Sequence, residues 1–406
     1  MTTDYYVAGI DVHKKVVWVA LTDISQEEQE FRVGKFLTTT SGLRELAAWL
    51  RQQRVCEVVL ESTAQYWYPV WVALEGVCRL HLAQAHSNAA PQGRKTDYAD
   101  AKRLVRRWAA QELRLSFVPE AEQRDWRCLT RARHQLTRER VRLQNHLEAL
   151  LEEMQIKLSS FLSDLLGMSG RKILGALAHG ETDPEVLAQL ANSRVRASRE
   201  QLQDALSGQV RPAHRQLLQF QLERLATLER HMLELDQALE RRLQPHQDAI
   251  QRLLEVPGLG QQAAHQILAQ VGPAAHAFPS PQQLASWVGV CPGRKESAGV
   301  SRSDRSPKGN RAMRRILTQV AHAAVQTKGS YFQALLRRLV GRLGFHKALW
   351  AIAHRLCRII WKILHDGAHY NEPVSRSPQA AQRRAKHLLQ QLRNLGFDVS
   401  ITPAAC

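Results

Sequence analysis

A chain of 406 residues with a net charge of +18 is long enough for about two or three domains with a sizeable core. It has no run of about 18 apolar residues and no basic segment leading into an apolar stretch near residue 1, so neither a membrane span nor a secretory signal is expected. Its six cysteines, at 56, 78, 128, 291, 357 and 406, form no C-x-x-C pair, which points to a reduced cytoplasmic protein without structural zinc.

The charge is unevenly distributed. Fifteen cations face 14 acids over residues 1–120, 19 face 17 over 121–245, and 22 face 7 over 246–406. Nearly all the excess therefore lies in the last part. A neutral, acid-bearing region joined to a basic one points to metal chemistry in the first and polyanion binding in the second. Charge alone does not separate DNA from RNA or from an anionic membrane.

In chain order, residues 5–10, 15–21 and 31–39 read as three strands with short connections, hence an antiparallel meander. Residues 41–50 have apolar positions at helical spacing with Ser41 as a cap. Residues 55–60 form a buried strand, a helix surrounds 69–75, and a further strand covers 79–83. The order β-β-β-α-β-α-β-α is that of the ribonuclease-H-like fold, in which the first strand sits centrally beside the fourth.

Those elements deliver acids. Asp11 follows the apolar run Tyr5–Ile10 and Glu61 follows Val58-Val59-Leu60, as happens when strands carry carboxylates to one edge of a sheet. Thr96 caps a helix whose first turn holds Asp97 and Asp100, three apart and so on one face. Hard oxygen ligands converging on one point suit a divalent cation. Single acids at helix starts are more often capping or dipole partners; four at element ends favour a metal site. The seventeen histidines, His13 included, form no metal-spaced cluster and are read as surface or phosphate-adjacent groups.

Two long amphipathic stretches follow. One carries Leu129, Ala132, Leu136, Leu143, Leu147, Leu150 and Met154; the other carries Leu218, Leu222, Leu225, Leu228, Met232, Leu235 and Leu239. Joined by some 60 weakly patterned residues, they predict an antiparallel coiled-coil arm, a spacer or dimerisation element whose Arg- and Gln-rich face is also open to nucleic acid.

The basic region opens with Val256-Pro257-Gly258-Leu259-Gly260, a helix-hairpin-helix signature in which Gly258 and Gly260 let the turn approach a phosphate. Residues 291–311, rich in Gly, Ser and cations, read as a loop before a helix over 311–326. Arg294, Lys295, Arg302, Arg305 and Lys308, with Arg311, Arg314 and Arg315 on that helix, are phosphate-binding candidates, as is Lys95 beside the acids. Taken alone, a serine in such a loop mostly just helps bind phosphate; among so many guanidinium groups it is also placed to be a nucleophile toward a phosphodiester. Helices over 331–343 and 346–365 follow, the latter with a core stripe at Ala348, Ile352, Leu356, Ile359 and Ile363, and then a basic helical tail. The resulting domains are 1–120, 121–245, 246–370 and 371–406.

Several ordered motifs resemble one family. Gly9-Ile10-Asp11-Val12-His13-Lys14, Leu60-Glu61-Ser62-Thr63 with Tyr66-Trp67, Gly93-Arg94-Lys95-Thr96-Asp97 through Asp100-Ala101, and Phe117-Val118-Pro119 lie in the first part. Val256–Gly260, Ser297-Ala298-Gly299 and Ser306-Pro307-Lys308-Gly309-Asn310-Arg311 lie in the last. Together they resemble the Asp-Glu-Asp-Asp (DEDD) insertion-sequence transposases, which join a RuvC-like domain to a "transposase 20" domain; the chain is similar to the longer subgroup.

The resemblance implies an α/β RuvC-like domain followed by helical ones, with Asp11, Glu61, Asp97 and Asp100 holding Mg2+. It implies a serine nucleophile within Ser297-Ala298-Gly299, where an intervening alanine keeps Ser301 and Ser306 open as alternatives. It further implies RNA-guided strand exchange between donor and target DNA, an element-encoded guide RNA (a bridge RNA or seekRNA) as partner, and a homodimer assembling to a tetramer at the bacterial nucleoid. Two other readings remain: a metal-dependent Holliday-junction-type endonuclease that activates water without a covalent serine, and a non-catalytic nucleic-acid scaffold in which the acids merely cap helices.

Overall fold

The computed structural model describes residues 5–26, 30–61, 64–88, 96–293, 295–297, 300–303, 306–372, 389, 390 and 392. The chain divides into two compact units, residues 1–119 and 120–406.

The first unit is an α/β layer structure. Strands β1 (Tyr6–Val12), β2 (Val16–Asp23) and β3 (Arg32–Leu37) form the expected meander; helix α1 (Thr40–Gln52) leads to β4 (Val55–Glu61), α2 (Trp67–Leu74) to β5 (Arg79–Ala83), and α3 (Asp97–Ala109) closes the unit. The cap of α1 is Thr39, whose side chain accepts from Gly42 N, rather than Ser41; of the four successive hydroxyl residues Thr38–Ser41, Thr39 is the one just outside the helix with extended backbone. The sheet order is β3-β2-β1-β4-β5. β1 is antiparallel to β2 and parallel to β4, so it is central and adjacent to β4 as expected.

Alternation along the strands splits the core in two. Ala8, Ile10 and Val12 of β1 and Val58 and Leu60 of β4 face Leu43, Leu46, Leu50, Val70 and Leu74. Val7, Val59 and Ala83 face Leu104 and Val105 of α3 on the opposite side. Gly9 and Asp11 share the parity of Val7, and Glu61 that of Val59, so both acids are delivered to the face that α3 covers.

In the second unit, α4 (Ala121–Glu153) and α9 (Pro212–Leu243) are the two long helices of the arm. They run antiparallel: Arg133 Nε donates to Asp236 Oδ1 at 2.9 Å and, seven residues on, Arg140 Nε donates to Glu229 Oε1 at 3.1 Å. The connection is more structured than its weak patterning implied. Short helices α5 (Leu158–Phe161), α6 (Met168–Ala178), α7 (Pro184–Gln189) and α8 (Arg199–Leu206) pack with the arm around a core that includes Leu147, Leu151, Ile173, Leu177, Leu218 and Leu225.

Helices α10 (Gln247–Leu254) and α11 (Gln261–Val271) flank the Pro-Gly-Leu-Gly turn, and α12 (Pro281–Val288) follows. The 291–311 segment, expected to be loop throughout, contains a two-stranded antiparallel hairpin, β6 (Lys295–Ser297) and β7 (Val300–Ser303). Strands of three and four residues are too short to show a sequence period. Three helices complete the unit: α13 (Arg311–Gln326), α14 (Tyr331–Leu343) and α15 (Phe345–His365). On α15, Ile360 is buried where the stripe predicted Ile359, which is only half-buried. Most of the tail expected over 371–406 lies outside the described residues. No helix among the described residues is long and apolar enough to cross a membrane.

Candidate functional site

The acids meet at the carboxyl ends of β1 and β4. Ile10 pairs with Leu60 in the parallel ladder, so Asp11 and Glu61, one residue further on, are neighbours across adjacent strands. The N-terminus of α3 is brought onto them by two local devices. At Gly9 the helix lies so close to β1 that a Cβ would stand 2.2 Å from the Ala101 carbonyl oxygen. Trp18, opposite Asp11 on β2, meets Tyr98 edge-on with ring centroids 4.5 Å apart. Thr96 caps α3 through its hydroxyl, which accepts from Ala99 N at 3.3 Å, leaving Asp97 and Asp100 in the first turn as the sequence predicted.

Asp11 is buried, 8% exposed, and its Oδ2 has no hydrogen-bond partner among the described residues. Burial pushes its carboxyl above the ordinary aspartate range; His13 opposes that shift, while Asp100, Glu61 and Asp97 add to it. The four acids thus share one electrostatic neighbourhood. Glu61 Oε2 accepts from Asn88 Nδ2 at 2.6 Å, and Asp100 is bonded by Arg103 of the next helical turn. A buried carboxylate oxygen that accepts no hydrogen bond among the described residues, amid three further carboxylates, is a donor set that fits a divalent cation.

His13 is exposed, as expected of a surface group, but it does join a cluster of possible metal ligands, which its spacing in the sequence did not suggest. Its Nε2 lies 3.2 Å from Asp11 Oδ2 and 3.4 Å from Asp97 Oδ1, so Asp11, His13 and Asp97 make a three-residue group able to hold a metal ion. Asp-x-His at a strand end carries this signal, because residues two apart share a face. Asn88, 2% exposed at the end of a 3-10 turn over Ala85–Asn88, is a further residue of the site that no sequence pattern marks.

The basic candidates divide. Lys95, Arg294 and Arg305 lie outside the described residues. Ser297 ends β6, paired with Val300, while Ser301 pairs with Glu296 and Lys295 with Ser303; Arg302 is in β7. Ser306 Oγ accepts from Trp350 Nε1 at 2.8 Å. Lys308 and Arg311 are exposed. Arg315, half-buried with its guanidinium pushed down by burial, donates to Gln266 Oε1 at 2.8 Å. Arg131 and His134 of α4, Gln266 and Gln270 of α11, and Arg311 and Arg315 of α13 line a groove of ≈ 270 Å³.

Two candidates, Arg314 and Gly258, make contacts within the protein itself. Arg314 NH1 donates to the carbonyls of Pro307 (2.7 Å) and Gly289 (3.2 Å), and its guanidinium sits 4.7 Å from the Trp350 ring centroid, so it pins the loop entering α13. Gly258, at φ +80°, is held against α13, where a Cβ would stand 2.3 Å from Ala324 N. Its close approach is to backbone. At Gly260, by contrast, nothing lies within 4 Å of where a Cβ would be, and the N-terminus of α11 has no side-chain cap.

A carboxylate cluster at the strand ends of an α/β unit, joined to a basic helical unit, defines a phosphoryl-transfer protein acting on nucleic acid. A family model described as a transposase of the DEDD type matches residues 8–156, and one described as "Transposase IS116/IS110/IS902 family" matches residues 250–337. A "Probable family 20 transposase" of Pseudomonas aeruginosa is 28% identical over 327 residues, 78% of this chain and 86% of that protein. The "Transposase for insertion sequence element IS1111A" of Coxiella burnetii is 23% identical over 369 residues, 89% and 90% of the two chains. Among solved structures, T. thermophilus RuvC in complex with a Holliday junction substrate aligns over 28% of this chain and 99% of that one, at 12% identity; its TM-score of 0.21 carries no argument about fold. The chain belongs to the DEDD insertion-sequence transposases of the IS110 type, enzymes that act on DNA.

Proposed function

We propose that the protein carries out RNA-guided DNA strand exchange through a covalent phosphoserine link, with Mg2+ held by Asp11, Glu61, Asp97 and Asp100 of a ribonuclease-H-like domain. The observation that carries this reading is the gathering of acids from β1, β4 and α3 around the buried Asp11 oxygen, which accepts no hydrogen bond among the described residues. The cation, when bound, supplies positive charge to the phosphoryl oxygens and the leaving oxygen. Ser297 Oγ forms a bond to phosphorus, the bond from phosphorus to the 3′ oxygen breaks, and the hydroxyl proton is passed to the departing 3′ oxygen. The phosphoserine keeps the phosphoester linkage, so religation needs no external energy source.

In this reading residues 1–120 are catalytic, 121–245 form the arm, 246–370 are the serine-bearing domain and 371–406 a basic tail. Lys308, Arg311 and Arg315, with Arg294, Lys295, Arg302, Arg305 and Lys95, contact backbone phosphates. Such contacts carry no sequence information, so target choice falls to a pairing guide RNA. The acids and the serine come from different subunits of a homodimer that assembles to a tetramer.

The test is cleavage of the element's end DNA in Mg2+ by the full-length protein purified with its co-expressed flanking DNA and any RNA it retains. Asp97→Asn is expected to abolish cleavage. Ser297→Ala is expected to abolish the protein–DNA adduct seen on denaturing gels. Cleavage surviving Ser297→Ala with an adduct still present moves the nucleophile to Ser301 or Ser306; cleavage without any adduct overturns the covalent mechanism. Recovery of no discrete RNA overturns guidance.

A further inference from the structure

We propose that His13 is itself a ligand of the cation, through Nε2, and that this nitrogen biases the site toward Mn2+ over Mg2+. The inference rests on the reading of Asp11, Glu61, Asp97 and Asp100 as a cation site and adds a donor of a different kind.

Three observations support it. Ligand atoms about 2.1 Å from an octahedral ion lie about 3.0 Å from one another along each edge. His13 Nε2 stands 3.2 Å from Asp11 Oδ2 and 3.4 Å from Asp97 Oδ1, close to two such edges. The same nitrogen stands beside both carboxylates, and Asp11 Oδ2, buried and without a hydrogen bond among the described residues, is left available to an ion they could share. The backbone of His13 is fixed as well: its N–H donates to Val16 O at 3.0 Å, closing the β1–β2 turn. Val12, between the two ligands, is buried in the opposite core, and this alternation keeps Asp11 and His13 on one side.

The consequence is selectivity. Magnesium favours an all-oxygen shell and retains water, whereas imidazole nitrogen suits the later first-row divalent ions. Carboxylates alone leave the choice to charge and size; one imidazole adds affinity for Mn2+ that Mg2+ gains much less from.

The test uses Mn2+ bound to the full-length protein. Pulsed electron paramagnetic resonance (electron spin-echo envelope modulation) reads nitrogen coupled directly to the ion, and a continuous-wave titration reads affinity. Wild type is expected to show a coupled nitrogen that disappears in both His13→Ala and Asp11→Asn, the second showing that the signal comes from this site. His13→Ala is expected to weaken Mn2+ by about tenfold and Mg2+, read by competition, by clearly less. The His13 side chain is half-exposed, so truncation leaves the core intact, and the wild-type spectrum needs no variant at all. Stoichiometric Mn2+ with no coupled nitrogen, or binding unchanged or tighter in His13→Ala, overturns the role of His13 while leaving the four-acid site standing. No Mn2+ bound overturns both.

Discussion

Gly9 does at one residue what the motif around Asp11 needs. Its missing Cβ lets the Ala101 carbonyl approach β1, and that approach sets the distance between the acid on the strand and the two on the helix. Gly9→Ala is therefore expected to push α3 off the sheet, lowering stability by about 1–3 kcal/mol and DNA cleavage by at least about tenfold. Gly341, inside α14 with nothing within 4 Å of a built Cβ, is the contrast: Gly341→Ala is expected to raise stability by about 0.5–1 kcal/mol. Thermal melts with cleavage assays of the two variants check both. Much of the site was legible at this scale, because Asp11, Glu61, Asp97 and Asp100 each stand at an element boundary that the sequence marks by alternation or by a cap. His13 and Asn88 were not: a lone imidazole and a lone turn amide have no period, and their roles come only from what the fold brings opposite them.

Among the elements, the arm is the one whose electrostatics bear on its stability. Glu229 of α9 receives two hydrogen bonds from Arg171 of α6, at 2.6 and 2.7 Å, and one from Arg140 of α4. The Arg171 bonds hold its carboxyl below the ordinary glutamate value of 4.5, burial works against them, and Arg140 works with them. A depressed acid stabilises the fold above its unfolded value, and that contribution is lost as pH falls through the lower folded value. Glu229→Gln is accordingly expected to melt below wild type at pH 7, with the gap closing below about pH 4.5 when both are followed by circular dichroism. The two long helices were readable from spacings of three and four. Helices α5 to α8 were not, since elements of 4 to 11 residues give only about one to three turns of pattern and owe their order to the leucine core they cover.

At the scale of the molecule, the charge bias of residues 246–406 and the groove lined by Arg131, Arg311 and Arg315 make the same demand, a polyanionic partner. DNA affinity is expected to fall steeply with salt. The double variant Arg131→Gln/Arg311→Gln is expected to reduce the logarithmic slope by about 1 to 2 without loss of fold, measured by fluorescence anisotropy from 50 to 200 mM salt. Arg314→Gln, which removes donors from the Pro307 and Gly289 carbonyls, is expected to lower stability instead. Composition told the sign of the partner's charge, but not that two of three neighbouring arginines, Arg314 and Arg315, make hydrogen bonds within the protein.

The two rungs of the arm, Arg133 to Asp236 and Arg140 to Glu229, stand seven residues apart on both helices. Seven residues inserted at matching points of both helices preserve every pairing and carry the distal leucine cluster about 10 Å outward, whereas one residue in a single helix turns all that follows by about 100° and breaks the ladder. The arm is in that sense a ruler graduated in heptads, able to change length by whole steps while its two ends stay as they are.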